Sequence, residues 1–136
     1  MPNFGAGSLK MLEGVHPKLV AVCHAAIKVW DFQVVDGVRT AEEQRTNIAR
    51  GVSWTKDSKH LIQPDGFSHA VDLGPYLPAI KGIDWKDEEI FCVLAGVMFA
   101  CAFEMNVKLR WGGDWNQNNS TTDERKRDYG HFELDE

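Results

Sequence analysis

The sequence lacks a long apolar run. Its most apolar stretch, "IFCVLAGVMFACAF" from Ile90 to Phe103, has fourteen residues, whereas a membrane-spanning helix needs about 20. It reads instead as a buried, central helix. The opening "MPNFGAGSLKML" carries Lys10 but no apolar segment of the signal-peptide kind. The chain is therefore expected to be made in, and at first confined to, the cytoplasm. Cysteine is scarce: Cys23, Cys92 and Cys101 are an odd number in apolar, helical contexts, which points to buried free thiols and a reducing compartment. Their separations of 69 and 9 residues lack the close pairing of a cysteine zinc site. A basic excess is missing too. The formal charge is -5, and the one basic cluster, "ERKR" (Glu124 to Arg127), is flanked by Asp123 and Asp128, which argues against a nucleic-acid-binding surface. There is no internal repeat, no low-complexity linker and no Gly-x-Ser-x-Gly pattern to mark a nucleophilic serine.

What is present is ordinary globular composition. The chain has 136 residues, 43% of them hydrophobic and 26% charged, enough for one moderate core without staples. Pro17 suits the first turn of a helix because it needs no amide hydrogen there. Leu19, Cys23, Ile27 and Trp30 then share one face. His16, just before that proline, reads as a capping or solvated residue, and His24 as structural. "FQVV" (Phe32 to Val35) reads as a strand and "DGVRT" as the turn after it. Thr40 and Glu43 have the spacing of a capping box for a helix over 41–50 that stops at Gly51. Residues 52–67 read as loop, "AVDL" (Ala70 to Leu73) as a short strand closed by Pro75 and Pro78, and 86–105 as a helix capped by Asp84. Gly96 inside that helix suggests close packing. "LRWGG" and "HFEL" read as terminal strands. Helices alternating with short strands, without regular βαβ units, predict an α+β domain with a small antiparallel sheet packed against helices.

The chemistry concentrates in "SKHLIQPDGFSHAVDL", Ser58 to Leu73. His60 lies in the loop, Asp72 follows on a strand, and His131 opens the last strand. Two imidazoles and one carboxylate form the kind of three-ligand set that leaves a zinc ion a position for water; surface histidines and a capping aspartate would give the same spacing. Asp128, three residues before His131, has the chemistry to take a proton from water beside a metal, or simply closes the charge run. Arg39 in the turn after the first strand can grip a carboxylate or an oxyanion, or pair with Asp36 or Glu43.

These pieces together resemble the zinc D,D-peptidase family, which includes D-alanyl-D-alanine carboxypeptidases and dipeptidases. They look most like its small bacteriophage endolysin branch, the L-alanyl-D-glutamate endopeptidases. Ser58-Lys59-His60 and Ala70-Val71-Asp72 match the two halves of the family's central motif. "DYGHFEL" supplies the last histidine and the acidic base, "DGVRT" the arginine turn with Gln44 following, and "LRWGGDW" is typical of the phage branch. The likeness runs from "LEGVHPKL" to "GHFEL", nearly the whole chain.

The resemblance implies a zinc D,D-peptidase-like (hedgehog/DD-peptidase) fold and one zinc ion per chain on His60, Asp72 and His131. It implies Asp128 as general base, Arg39 as a substrate-binding and transition-state residue, and Ser58 and Gln44 along the substrate cleft. Residues 1–136 are then expected to be one catalytic domain without a separate wall-binding domain, acting as a monomer on peptidoglycan peptide stems without inserting in a membrane. The wall would be reached once another protein has permeabilised the membrane. The alternatives are D-alanyl-D-alanine carboxypeptidase activity on the same scaffold, or binding of zinc and wall peptides without turnover. One departure stands out. His60 and Asp72 are twelve residues apart where the family's usual gap is seven. Gly66 or Ser68 then takes the place of the motif glycine, and His69 competes with His60 as a ligand. If a strand already runs at His69, it and Asp72 face opposite ways, which makes His69 a cleft-rim or supporting residue. Glu133, two residues beyond His131, falls on the same strand face and suits a supporting partner.

Overall fold

A computed structural model describes residues 2–50, 58–124 and 127–135. The elements in chain order are α1 (Ala6–Met11), α2 (Pro17–Ile27), β1 (Phe32–Asp36), α3 (Ala41–Ala49), β2 (Ala70–Pro75), α4 (Glu88–Glu104), β3 (Leu109–Trp111) and β4 (His131–Leu134).

Local chemistry sets most of the helix starts. In α2, Pro17 takes the first position and His16 Nδ1 accepts the Lys18 amide at 3.1 Å. The α3 capping box is complete: Thr40 Oγ1 accepts the Glu43 amide at 3.1 Å, and Glu43 accepts the Thr40 amide at 3.2 Å. The expected stop at Gly51 lies outside the described residues. In α4 the cap is Asp87, which accepts the Ile90 amide at 3.2 Å. Asp84, expected in that role, instead accepts the Lys86 amide in the preceding turn. Helix α1 was not legible in "GAGSLKML", which has neither a side-chain cap nor a buried stripe.

The four strands form one antiparallel sheet in the order β1-β2-β4-β3, so the α+β expectation holds. Side chains alternate across it with period two. Phe32, Val34, Val71, Leu73, Phe132 and Leu134 join Leu19, Val22, Cys23 and Ala26 of α2 and Leu94, Ala95 and Met98 of α4 in the core. Each fully buried Leu or Phe contributes about 1.5–3 kcal/mol, so this face fixes the strand register. A slip of one residue would send the alternate set inward.

Helix α4 corrects two expectations. It is not central: Phe91, Leu94, Ala95, Met98 and Ala102 are buried, but Val93, Phe99 and Phe103 are exposed. Gly96 faces open space, with nothing within 4 Å of where a Cβ would stand, so it is not a close-packing glycine. All three cysteines are free, and only Cys23 is buried, Cys92 being exposed. Burial pushes the Cys23 thiol up to about 12.

Candidate active site

The sheet face turned away from the core carries the chemistry. Asp72 and His131 lie directly opposite each other in the β2–β4 register, and Arg110 lies opposite Glu133 in the β3–β4 register. Between Val34 and Asp36 the β1–β2 register shifts, so that Asp36 stands across from Asp72. Such a bulge re-aims a side chain that strict alternation would send to the other face.

His60 reaches this face from its loop. Its ring Nδ1 lies 2.7 Å from the Gly37 carbonyl, its amide donates to Ser58 Oγ at 3.2 Å, and its carbonyl accepts the Arg39 amide at 2.9 Å. A carbonyl can only accept, so Nδ1 carries the proton and Nε2 holds a lone pair. That Nε2 is buried and has no hydrogen-bond partner, although Asp72 Oδ1 is only 3.1 Å away. A lone pair facing a carboxylate is the arrangement a cation resolves. On the other side of Asp72, His131 Nδ1 lies 3.1 Å from the same oxygen, and His131 Nε2 lies 2.9 Å from Glu133 Oε1. The donor atoms of His60, Asp72 and His131 all fall within 4.8 Å of one another. Two imidazoles and one carboxylate at that spacing fit a zinc ion, with the Gly37 carbonyl and Glu133 orienting the rings from behind.

The same contacts set the local electrostatics. Burial opposes the charge on Asp72, but the imidazoles of His131 and His60 beside it outweigh that and hold the carboxyl well below the usual range. Burial likewise disfavours a charged His131, yet Asp72 and Glu133 hold it up to about 9.

Asp128 sits beside this set. Its amide donates to the Gly112 carbonyl at 2.8 Å and its carbonyl accepts the His131 amide at 3.1 Å. Gly112 is needed here, because a Cβ would lie 2.2 Å from the Asp128 carbonyl oxygen. One side of Asp128 is open to solvent. The protein packed around its carboxyl, and after that the Asp72 charge, raise its pKa above the usual carboxylate value.

Arg39 is anchored at three points. It donates to Asp36 Oδ2 at 2.6 Å and to Gln44 Oε1 at 2.6 Å, and stands 3.7 Å from Asp72 Oδ2. Glu43, its other sequence candidate, is taken up by the helix cap. Gln44 and Ser58, which the resemblance places along the substrate cleft, are both buried; Gln44 holds Arg39, and Ser58 holds the His60 backbone. His69 lies outside the His60 set and bonds Asp65 at 2.6 Å. Trp115, given no role by the sequence beyond its place in "LRWGGDW", packs its ring 5.2 Å from that of His131, with the Arg110 guanidinium 5.3 Å from the Trp115 ring.

The profile of the phage L-alanyl-D-glutamate peptidases matches residues 2–135. The chain belongs to that family. It is 39% identical to the L-alanyl-D-glutamate peptidase of Escherichia phage T5, over 97% of each chain. Its fold is similar to the crystal structure of the Serratia marcescens L-Ala D-Glu endopeptidase ChiX, with a TM-score of 0.76 and 30% identity over 97% of this chain and 89% of that one. Membership in this family of peptidases agrees with the resemblance carried by the His60, Asp72 and His131 motifs, and with the small antiparallel sheet. No helix among the described residues is long and apolar enough to cross a membrane.

Proposed function

We propose that this chain is a zinc-dependent endolysin that hydrolyses the L-alanyl-D-glutamate bond in the peptide stems of bacterial peptidoglycan. The carrying observation is the unpartnered lone pair of His60 Nε2, buried against Asp72 with His131 on its far side, in a member of this peptidase family. His60, Asp72 and His131 would hold one zinc ion. When bound, zinc acidifies water and polarises a carbonyl.

The residues around it divide the remaining work. Asp128 takes the proton from the attacking water and passes it to the leaving amine, and its raised pKa brings it nearer the operating pH than a free carboxylate. Arg39 faces the same space and supplies positive charge to the oxygen that becomes negative. Asp36 and Gln44 fix the guanidinium, so no reorganisation is needed when that charge develops. Ser58 acts behind the site by holding the His60 backbone. The chain acts as a monomer, is made in the host cytoplasm, and meets the wall after the membrane is permeabilised.

Digestion of intact walls tests the reading. New D-glutamate amines, appearing only with zinc present, are expected. Released D-alanine would move the cut to the stem terminus. No new amine of either kind from zinc-loaded protein would defeat the peptidase assignment.

A further inference from the structure

The chain contains a second set of two imidazoles and one carboxylate. His16, Asp65 and His69 also place their donor atoms within 4.8 Å of one another. They come from three places: the residue before α2, the tip of the 61–69 loop, and the residue before β2. His69 Nε2 lies 2.6 Å and His16 Nε2 3.7 Å from the same oxygen, Asp65 Oδ2. The two rings stand 5.2 Å apart and nearly perpendicular.

The backbone brings these residues together deliberately. Asp65 is turned by Gly66, whose φ of 90° suits glycine, and the other Asp65 oxygen accepts the Phe67 amide at 3.1 Å. Ser68 then ties the loop to the start of α2, its amide donating to Gly14 and its carbonyl accepting the His16 amide. Ring nitrogens and a carboxylate suit borderline divalent metals such as zinc, cobalt or nickel, whereas calcium and magnesium favour all-oxygen sites.

We propose that His16, Asp65 and His69 form a second transition-metal site, weaker than the His60 site. The order of affinity follows from His16. Its Nδ1 accepts the Lys18 amide, so the neutral ring carries its proton on Nε2, toward Asp65. Ligation through Nε2 moves that proton to Nδ1 and costs α2 its N-cap. The His60 ring already has its proton on the far side, on the Gly37 carbonyl, and gives up nothing. An ion at the second site would pin the longer loop to α2. It would also stiffen the approach to His60, because the His69 amide donates to the Lys59 carbonyl at 2.8 Å.

The test is a zinc titration of the whole chain, with bound metal counted at controlled free zinc. Native protein is expected to keep one zinc through purification and to take a second with at least tenfold weaker affinity. Asp65→Asn, at an exposed carboxylate, should lose the second zinc and retain the first together with wall hydrolysis. His60→Ala should show the reverse count, losing the tight zinc and retaining the weak one. His16→Asn keeps a capping side chain but no imidazole, and should weaken the second site at least tenfold. Saturation of the native chain at one zinc would overturn the proposal, as would a second zinc that survives Asp65→Asn or binds unchanged in His16→Asn. The count is independent of turnover, so an inactive protein would still decide it.

Discussion

Two clusters in this chain share a composition and differ in what stands behind the rings. At His60, Asp72 and His131, the far nitrogens face a backbone carbonyl and the Glu133 carboxylate. Both partners are acceptors, so each ring, when neutral, presents its lone pair inward. At His16, Asp65 and His69, the far nitrogen of His16 instead accepts an amide, and its proton points inward. The first carboxylate is half-buried between two strands, the second exposed on a loop. Donor type and spacing therefore do not rank two sites. The proposed order of affinity rests instead on the direction of the hydrogen bonds behind the rings.

The harshest way to break the comparison is to remove a ring from the first set. His60→Ala or His131→Ala should drop wall hydrolysis to background and lose the zinc that survives purification, while His69→Ala keeps both. If His69→Ala empties the tight site and His60→Ala does not, the ligand assignment is reversed. Metal analysis beside a hydrolysis assay reads this directly.

Asp128→Asn separates proton transfer from metal holding. It should lower kcat by about 10²- to 10⁴-fold, with folding by circular dichroism and zinc content unchanged and KM moving less. A near-normal kcat with zinc present would remove Asp128 from the mechanism.

Glu133→Gln probes the partner behind His131. Loss of such outer-shell groups typically costs about 10–100-fold in metal affinity, and a fall of that size is expected at the tight site with none at the second. Equal zinc affinity before and after would reduce Glu133 to a packing residue.

The smallest effect is on pH dependence. In zinc-stripped protein His131 is held up to about 9, against an ordinary value of 6.5. A raised folded-state pKa stabilises most below the unfolded value, so this contribution is full below about pH 6.5 and fades as pH rises through about 9. Urea midpoints of stripped protein should fall across that window. Those of zinc-loaded protein, with His131 a neutral ligand, should not show this component. Identical slopes with and without zinc would contradict a ligand role for His131.

The parts of the fold legible in the sequence are those fixed by near neighbours. Pro17, the Thr40 and Glu43 box and the alternation in "HFEL" each act within a few residues, and the structure agrees with them. Asp84 and Asp87 both precede α4 by a capping distance, and only the actual start of the helix decides between them. The face of α4 was illegible because "IFCVLAGVMFACAF" is apolar on every side, so its sequence cannot say that Phe103 is left 84% exposed. At the site, the motifs identified the residues the structure gathers at Asp72. They did not convey that Gln44 and Ser58 turn inward, since that depends on where Arg39 and His60 end up. The second cluster was missed for the same reason. Of the two roles the sequence allows His16, capping or solvated, the structure shows the cap, but its closeness to Asp65 arises from Ser68 returning to Gly14 across the loop.

Strand β4 is the last of the described strands yet lies between β2 and β3. Both neighbours are therefore synthesised before the strand that joins them. Among the described residues β3 has no other partner in the sheet, so its ladder waits on residues 131–134. That strand also brings His131. A chain that has not reached residue 131 thus holds His60 and Asp72 but not the third member of the set, and the same strand that joins β2 to β3 completes the proposed site. Pairing between segments distant in sequence is slow, so the contact of His131 with Asp72 belongs to the slowly formed part of the sheet.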